Sequence, residues 1–364
     1  MSLATLADAC TSMSSTIAQK DLVSHKGQYP IYGASGLIGF VNFYKQERQY
    51  IAVVKDGAGI GRIFSLPPYS SVIGTMQYLL PKDNIDVTYL YYAMQFMHLE
   101  KYYTGSTIPH IYFKDYKSEP LNIPSIDKQQ EIANTLRLVD EAIDTLHTQT
   151  TRLDDLVKSR FIELFGDPVT NTKNYPVYKL SDIATSRLGK MLDKKRQTGE
   201  HKYPYLANYN VQWFRFLLDN LNEMDFDEAD RKGFELRKGD LLVCEGGEVG
   251  RCAVWKGEKT NCYYQKALHR VRCDTSRIIP EYLGYTFYQH SKYNGFQDAI
   301  SGASTIAHLP GENLKRLRII VPPLALQNEF AAFVEQADKS KLVIQELLKK
   351  HELLKEALTQ KYFA

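Results

Sequence analysis

The sequence of 364 residues has only two tryptophans, and its five cysteines (Cys10, Cys244, Cys252, Cys262, Cys273) contain no Cys-x-x-Cys pair. A zinc site is gathered from tight ligand pairs and a disulfide framework from an even set. The spacing therefore predicts free thiols in a reducing cytoplasm and no metal site. Long apolar runs are missing as well. Stretches such as Ile319 to Leu326 are short and broken by charge, far from the roughly 20 residues that span a bilayer, so no membrane contact is expected. Met1 to Gln19 is polar and rich in Ser and Thr, without the regions of a secretory leader, and a cytoplasmic location is expected.

Catalytic motifs are also lacking. The chain has no Gly-x4-Gly-Lys-Ser/Thr phosphate loop, no Ser/His/Asp elbow, no His-Glu-x-x-His and no clear nuclease carboxylate–lysine cluster. Leu66-Pro67-Pro68-Tyr69 is superficially similar to the Asn/Asp-Pro-Pro-Tyr motif of adenine methyltransferases. Leu66 cannot hydrogen-bond a target amino group, however, and no Gly-rich cofactor loop precedes it, so the segment reads as a turn. Charge of one sign is not in excess: 45 Lys and Arg against 42 Asp and Glu leave +3. That sum allows a local basic face but does not reveal one.

What the chain does contain is a repeat. Leu6-Ala7-Asp8 matches Leu180-Ser181-Asp182, and Tyr29-Pro30 matches Tyr203-Pro204, both at a shift of 174. Gly57-x-x-x-Gly61-Arg62 matches Gly246-x-x-x-Gly250-Arg251 at 189, and Tyr89-Leu90 matches Tyr282-Leu283 at 193. Ser106-Thr107-Ile108-x-His110 and Ser304-Thr305-Ile306-x-His308 pair at 198, and from there the copies run without a gap through Pro124/Pro322, Gln129/Gln327, Glu131/Glu329 and Phe165/Phe363. Nine of the 28 positions from 106 to 133 are identical. The order never changes and the shift only grows, so the chain is a tandem duplication, roughly 1–168 and 175–364, in which the second copy has gained 15, 4 and 5 residues.

Each copy opens with an α/β part, with strands predicted at Tyr50–Val54, Val72–Gly74 and Leu241–Cys244. Each closes with a Pro-containing strand, Leu121–Pro124 or Ile319–Pro323, and one long helix. In copy one, Ile132, Leu136, Val139, Ile143, Leu146, Leu153 and Val157 alternate spacings of four and three, a heptad seam that from Lys128 to Phe165 is roughly 55 Å long. In copy two the same register holds Phe330, Val334, Ile344, Leu348 and Leu358, interrupted by Lys341, His351 and Lys355, with Leu347 and Leu354 widening the stripe. An intramolecular antiparallel coiled coil would bury both seams. The simpler alternative is that each helix packs on its own globular part.

The turns Asp56–Arg62 and Gly246–Arg251 follow predicted strands, and Ile63-Phe64 and Cys252–Trp255 read as second strands. These are hairpin turns rather than dinucleotide loops, and they project Arg62 and Arg251 either into solvent or onto phosphates or bases. Arg187, Lys190, Lys194, Lys195 and Arg196, then Gln265, Lys266, His269 and Arg270 beside Tyr263 and Tyr264, form a mixed basic and polar surface. Such a set suits contacts to phosphates and base edges, or a merely solvated loop. The acidic stretch Asp219 to Asp230 offsets it in the net charge. Candidate DNA contacts are Arg62, Arg187, Lys190, Lys194, Lys195, Arg196, Arg251, Gln265, Lys266, His269 and Arg270, together with Gln77, His110, Lys114 and His308.

Two diverged α/β copies, each ending in a Pro-x-x-x-x-Gln-x-Glu start to a long seam helix, resemble the specificity (S) subunit of type I restriction-modification systems. The matching residues are Ile123–Ala133 with Ser159-Arg160-Phe161 and Leu164–Pro168, and their partners Val321–Phe330. The resemblance implies an α+β tandem duplication in which two long antiparallel coiled-coil helices join and space two target-recognition domains. The expected segments are 1–124 (first recognition domain), 125–168 (central helix), 169–322 (second recognition domain) and 323–364 (C-terminal helix). It further implies a bipartite, asymmetric double-stranded DNA site, two methyltransferase (M) subunits and restriction (R) subunits as partners, no catalytic residue and no cofactor on this chain. S-adenosylmethionine, ATP and Mg would be used by the partners. A self-contained DNA methyltransferase or nuclease with an unrecognised site, and a coiled-coil scaffold, are the competing readings.

Overall fold

The computed structural model describes residues 4–24, 26–57, 59–104, 109–193, 197–300 and 307–364. The first copy contains β1 (Ala4–Thr5), α1 (Leu6–Ala9), β2 (Cys10–Ser14), β3 (Lys26–Gly33), β4 (Gly36–Val41), β5 (Tyr50–Val54), β6 (Ile63–Leu66), β7 (Ser71–Val72) and β8 (Met76–Pro81). Then come α2 (Val87–Phe96), α3 (Phe113–Tyr116), β9 (Pro120–Leu121) and the 40-residue α4 (Ile126–Phe165). The second copy begins with β10 (Val177–Lys179), α5 (Leu180–Ile183), β11 (Ala184–Leu188), β12 (Lys202–Leu206), β13 (Val211–Gln212), β14 (Arg215–Phe216), β15 (Asn222–Asp225) and α6 (Glu228–Phe234). It continues with β16 (Leu241–Cys244), β17 (Cys252–Val254), β18 (Tyr263–Tyr264), β19 (Leu268–Cys273), α7 (Pro280–Lys292), α8 (Gly311–Arg316), β20 (Arg318–Ile320) and the 40-residue α9 (Leu324–Phe363).

The duplication of sequence is a duplication of fold. The antiparallel sheet β2-β8-β5-β6 is matched by β11-β19-β16-β17, the sheet β4-β3-β7 by β15-β12-β18, and the pair β1-β9 by β10-β20. Even the parallel pairings recur, β3 with β7 and β12 with β18. The extra residues of the second copy build the β13–β14 hairpin and α6, which have no counterpart between β3 and β5. Strands β5 and β16 are buried along their whole length, which is why they read as continuous apolar runs rather than alternating ones. The glycine turns are hairpins as expected. Gly61 and Gly250 both have φ of 81°, and a Cβ would sit 2.7 Å from the Glu100 nitrogen at the first and 2.3 Å from the Phe296 ring at the second. The Pro-containing strands are shorter than predicted, Pro120–Leu121 and Arg318–Ile320, and each stops short of Pro124 or Pro322-Pro323, which have no N–H to give to a ladder.

The chain forms two compact units, residues 1–148 with 344–364, and residues 149–343. In the first, Ile132, Ala133 and Leu136 pack with Tyr89 and Tyr92, and Leu358, Tyr362 and Phe363 close over them. In the second, Phe161 and Phe165 pack with Phe330, Val334 and Ala337, and with Tyr282 and Tyr285. Each unit therefore places the start of one long helix antiparallel to the end of the other. Phe363, last in its helix, lies 5.4 Å from Tyr89, and its repeat partner Phe165 lies 4.7 Å from Tyr282, the repeat partner of Tyr89. The helix end of each copy thus completes the core of the opposite copy.

Along the predicted seam Ile132, Leu136, Val139, Leu146, Val157, Phe330, Val334 and Ile344 are buried, while Ile143, Leu153, Leu348 and Leu358 are half-buried. Leu347 and Leu354 do not widen the stripe: both are exposed. Two of the three polar interruptions form ion pairs between the helices instead. Lys341 pairs with Asp154 in the second unit, and Lys355 pairs with Asp140 at 2.7 Å in the first. Such pairs register the helices more than they stabilise them.

Two fully buried glutamines explain why the helix starts repeat. The Gln129 carboxamide oxygen accepts from Asp86 N–H at 2.9 Å, and its nitrogen donates to Asn84 O at 3.1 Å and Pro124 O at 2.9 Å. Gln327 accepts from Ile279 N–H at 2.8 Å and donates to Arg277 O at 3.1 Å and Pro322 O at 2.8 Å. Alongside, the Tyr89 hydroxyl donates to Asn122 O at 2.6 Å and that of Tyr282 to Ile320 O at 2.9 Å. Each α/β part is thereby tied by side-chain bonds to the first turn of its own helix, in the same way in both copies.

Candidate nucleic-acid interface

Most of the polar candidates lie in the second unit, around the edge of the sheet β11-β19-β16-β17. Registry sets Arg187 of β11 directly opposite Arg270 of β19, and Thr185 opposite Arg272, so three arginines share one face of the sheet. Like charges placed opposite each other across strands repel. One carboxylate answers them: Asp240, 1% exposed, accepts from Arg272 Nε at 2.7 Å and Nη2 at 2.8 Å. This bond raises the pKa of Arg272, whereas burial lowers that of Arg270. Among the described residues Arg270 donates to the Gly233 and Glu235 carbonyls, at 3.1 and 3.3 Å, and its buried Nε has no hydrogen-bond partner.

Arg187 is the exposed member. Its guanidinium lies 4.2 Å above the Phe234 ring, and a Cβ at Gly233 would come within 2.6 Å of it, so the glycine leaves room for the stack. An exposed guanidinium beside a ring can present an N–H fork to an oxyanion. Lys190 differs. Its ammonium is bound to Asp230 and to Asp225 O and lies 5.0 Å from the Phe226 ring, so it anchors α6 and β15 to the sheet. Arg251 is likewise engaged, donating to Asn208 O and Oδ1 at 3.1 and 2.9 Å.

Two candidates lie in the interior. His269 is 1% exposed, its ring Nε2 bonded to Leu309 O at 2.9 Å, and burial lowers its pKa. Gln77, 7% exposed, accepts from the Tyr116 hydroxyl at 3.2 Å. Both are buried, so the fold does not present either side chain on the surface expected of a DNA contact. Lys266 and His308 are exposed and Gln265 is half-buried, pairing through its backbone with Lys190. Lys194, Lys195 and Arg196 lie outside the described residues. The loop that follows them is anchored by Asp225, whose carboxylate accepts from the amides of Thr198, Gly199 (2.7 Å) and His201 (3.1 Å). Those amides, Gly199 foremost, lower its pKa. Nothing in the residue pattern pointed to Asp225, because its partners are backbone groups about 25 positions away.

In the first unit Arg62 is exposed at the β5–β6 turn, and Lys114 is exposed with its ammonium 5.4 Å from the Tyr112 ring. His110 is half-buried, with Nδ1 3.6 Å from the Asp56 carboxylate. Among the large apolar and aromatic side chains this unit exposes are Met13, Leu37, Phe40 and Tyr69. Among the described residues no group of three or more His, Cys, Asp or Glu could hold a metal ion, and no helix is long and apolar enough to cross a membrane. The five cysteines are unpaired, and burial pushes the thiols of Cys10 and Cys262 up to about 12 and that of Cys244 to about 11.

The duplicated α/β unit, each copy closed by one long helix, is the architecture that the internal repeat predicts. The family model for the type I restriction modification DNA specificity domain matches residues 2–154 and again 172–355, and the chain belongs to this family. It is 24% identical over 329 residues, 85% of this chain and 80% of the relative, to a putative type I restriction enzyme specificity subunit of Haemophilus influenzae. It is 23% identical over 250 residues, 64% of this chain and 53% of the relative, to the EcoKI specificity subunit of Escherichia coli. Among solved structures, the type I restriction-modification S subunit from M. genitalium superposes with a TM-score of 0.65 at 16% identity, covering 99% of this chain and 95% of that one. A chain from a structure describing complex assembly and conformational transition of the type I system gives 0.59 at 14% identity, covering 99% and 96%.

Proposed function

We propose that this chain selects the DNA sequence for a type I restriction-modification complex, each unit reading one half of a bipartite, asymmetric site in double-stranded DNA. The observation that carries the reading is the division of the duplication. The anchors Gln129/Gln327, Tyr89/Tyr282 and Phe165/Phe363 repeat with the same contacts, while the surfaces beyond them diverge. Equivalent helix starts would present equivalent docking surfaces to two identical methyltransferase subunits, and different surfaces would read different half-sites. Restriction subunits join the assembly. S-adenosylmethionine, ATP and Mg are used by those partners, and this chain contributes no catalytic residue and no cofactor site. The setting is cytoplasmic.

The experiment is a binding selection on a randomised duplex library with the chain and its methyltransferase subunit. A split motif of two half-sites with a fixed spacer supports the reading, and no sequence preference refutes it. Because the partners supply the chemistry, the purified chain alone should neither bind S-adenosylmethionine nor cut DNA, and either activity would reinstate the self-contained enzyme.

A further inference from the structure

Two residues before the short parallel strand, each copy turns through the left-handed region: Tyr69 has φ of 54° ahead of β7, and Asn261 has φ of 52° ahead of β18. The two positions correspond, because β7 pairs in parallel with β3 as β18 does with β12. Asparagine is one of the few non-glycine residues that tolerate this conformation, whereas a bulky side chain there is strained. The second copy holds the residue the turn prefers, and the first holds one the turn resists.

The packing around Tyr69 does not account for it. The residue is 51% exposed, and its hydroxyl has no hydrogen-bond partner among the described residues. Its ring meets Tyr44 edge-on at 5.2 Å, and Tyr44 meets Tyr29 at 4.9 Å, so three tyrosines form a ladder with Tyr69 at the outer end. The backbone below is firmly held. Pro67 and Pro68 precede it, and buried Ser70 donates its hydroxyl to Pro67 O at 2.6 Å and accepts from the Tyr50 hydroxyl at 2.9 Å. Ser70 O accepts from the Lys45 and Gln46 amides, both at 3.2 Å. A strained conformation that its surroundings over-determine is a common mark of a functional position. Glu47, beside Tyr44, raises the pKa of that phenol, and the ammonium of exposed Lys45 lies 5.8 Å from the Phe43 ring.

We propose that Tyr69 is a specificity-determining DNA contact of the first unit, its ring packing on the 5-methyl edge of a thymine in that unit's half-site, with Tyr44 and Tyr29 bracing it from behind. The inference rests on the reading of the chain as a DNA specificity subunit. A thymine methyl is the one apolar feature that the major groove displays, and an aromatic ring on a rigid turn fits it without a charged partner. This unit lacks the β13–β14 hairpin and α6, and an apolar reader suits its short, uncharged turn.

The test compares the assembled complexes of the wild-type chain, Tyr69→Asn and Tyr69→Phe on a randomised duplex library. They are then compared on the selected site with deoxyuridine replacing each thymine of the first half-site in turn. Tyr69→Asn installs the second copy's residue, so the thermal midpoint should hold, and affinity for the selected site should fall roughly tenfold. One thymine position should lose its preference while the other half-site is unchanged. Deoxyuridine at that position should weaken the wild type equally, leave Tyr69→Asn unaffected and weaken Tyr69→Phe as it weakens the wild type. An unchanged motif and affinity in Tyr69→Asn overturns the proposal. So does an equal loss on every sequence, which marks a phosphate contact, or a midpoint several degrees lower with recognition intact, which marks a structural role. A wild-type complex without any sequence preference refutes the family-level reading first, and the proposal falls with it.

Discussion

Replacing Gln327 by alanine tests the physical reason for the repeat. The side chain is fully buried, and it completes hydrogen bonds to one amide and two carbonyls that no solvent reaches through it. Removing it leaves Ile279 N–H, Arg277 O and Pro322 O without that partner. At about 1 kcal/mol for each bond, Gln327→Ala should cost roughly 3 kcal/mol. In a unit of this size that is roughly 6–12 °C of melting temperature. Calorimetry of the full chain reads the shift directly. Gln129→Ala should cost a similar amount in the other unit, and the double variant should be additive within about 0.5 kcal/mol, since the two side chains share no partner. Gln327→Glu is the sharper case. A carboxylate still accepts from Ile279 N–H but faces two carbonyls, so the variant should be at least as unstable as alanine at pH 7. It should recover as pH falls and the acid regains a donor. A cost below about 1 kcal/mol for Gln327→Ala, or a glutamate variant indifferent to pH, would refute the anchoring argument.

Three further outcomes follow from the same geometry. Arg187→Ala should weaken binding of the assembled complex on all sequences alike and reduce the slope of log affinity against log salt by about 1, because its exposed guanidinium suits a phosphate; a changed motif would contradict this. Leu136→Glu places a charge at a site with no exposure and should cost about 3 kcal/mol or more, whereas half-buried Ile143→Glu should cost under about 1 kcal/mol; equal effects in urea unfolding would undo the assignment of the seam. His269 and His290 are both held below the ordinary histidine pKa of 6.5 by burial. The unfolded chain therefore takes up protons below about pH 6.5 that the fold excludes, so stability of the second unit should be complete above that pH and decline toward pH 5. His269→Gln should flatten that decline, and an unchanged slope counts against the buried, neutral imidazole.

The duplication and the long helices were legible because their determinants are local and repeated. Gln129 and Gln327 each act within a few residues of a helix start, and the seam leucines recur at fixed spacing. The exchange of helix ends was legible only as an economical guess, since Phe165 and Phe363 read alike whether they pack on their own copy or on the other. Which residues of the basic surface face outward was not legible, for a specific reason. Along a strand, neighbours face opposite ways, so His269 and Arg270 cannot both point outward, and only registry with Arg187 decides which one does. Lys190 and Arg251 look free in sequence because Asp230 and Asn208 lie about 40 residues away. Leu347 and Leu354 look buried by composition, yet both are exposed on α9. Tyr69 could not be recognised at all, since its strain shows only beside Asn261 at the matching turn.

The central claim is that one chain carries two different readers on one repeated scaffold, and methylation-site mapping tests it most directly. The chain expressed with its methyltransferase subunit should methylate genomic DNA at two unlike half-sites separated by a constant spacer. Exchanging the first unit's β2–β9 segment for that of a relative should alter one half-site and leave the other intact. A single continuous motif, two identical halves, or an exchange that changes both halves together would contradict the account.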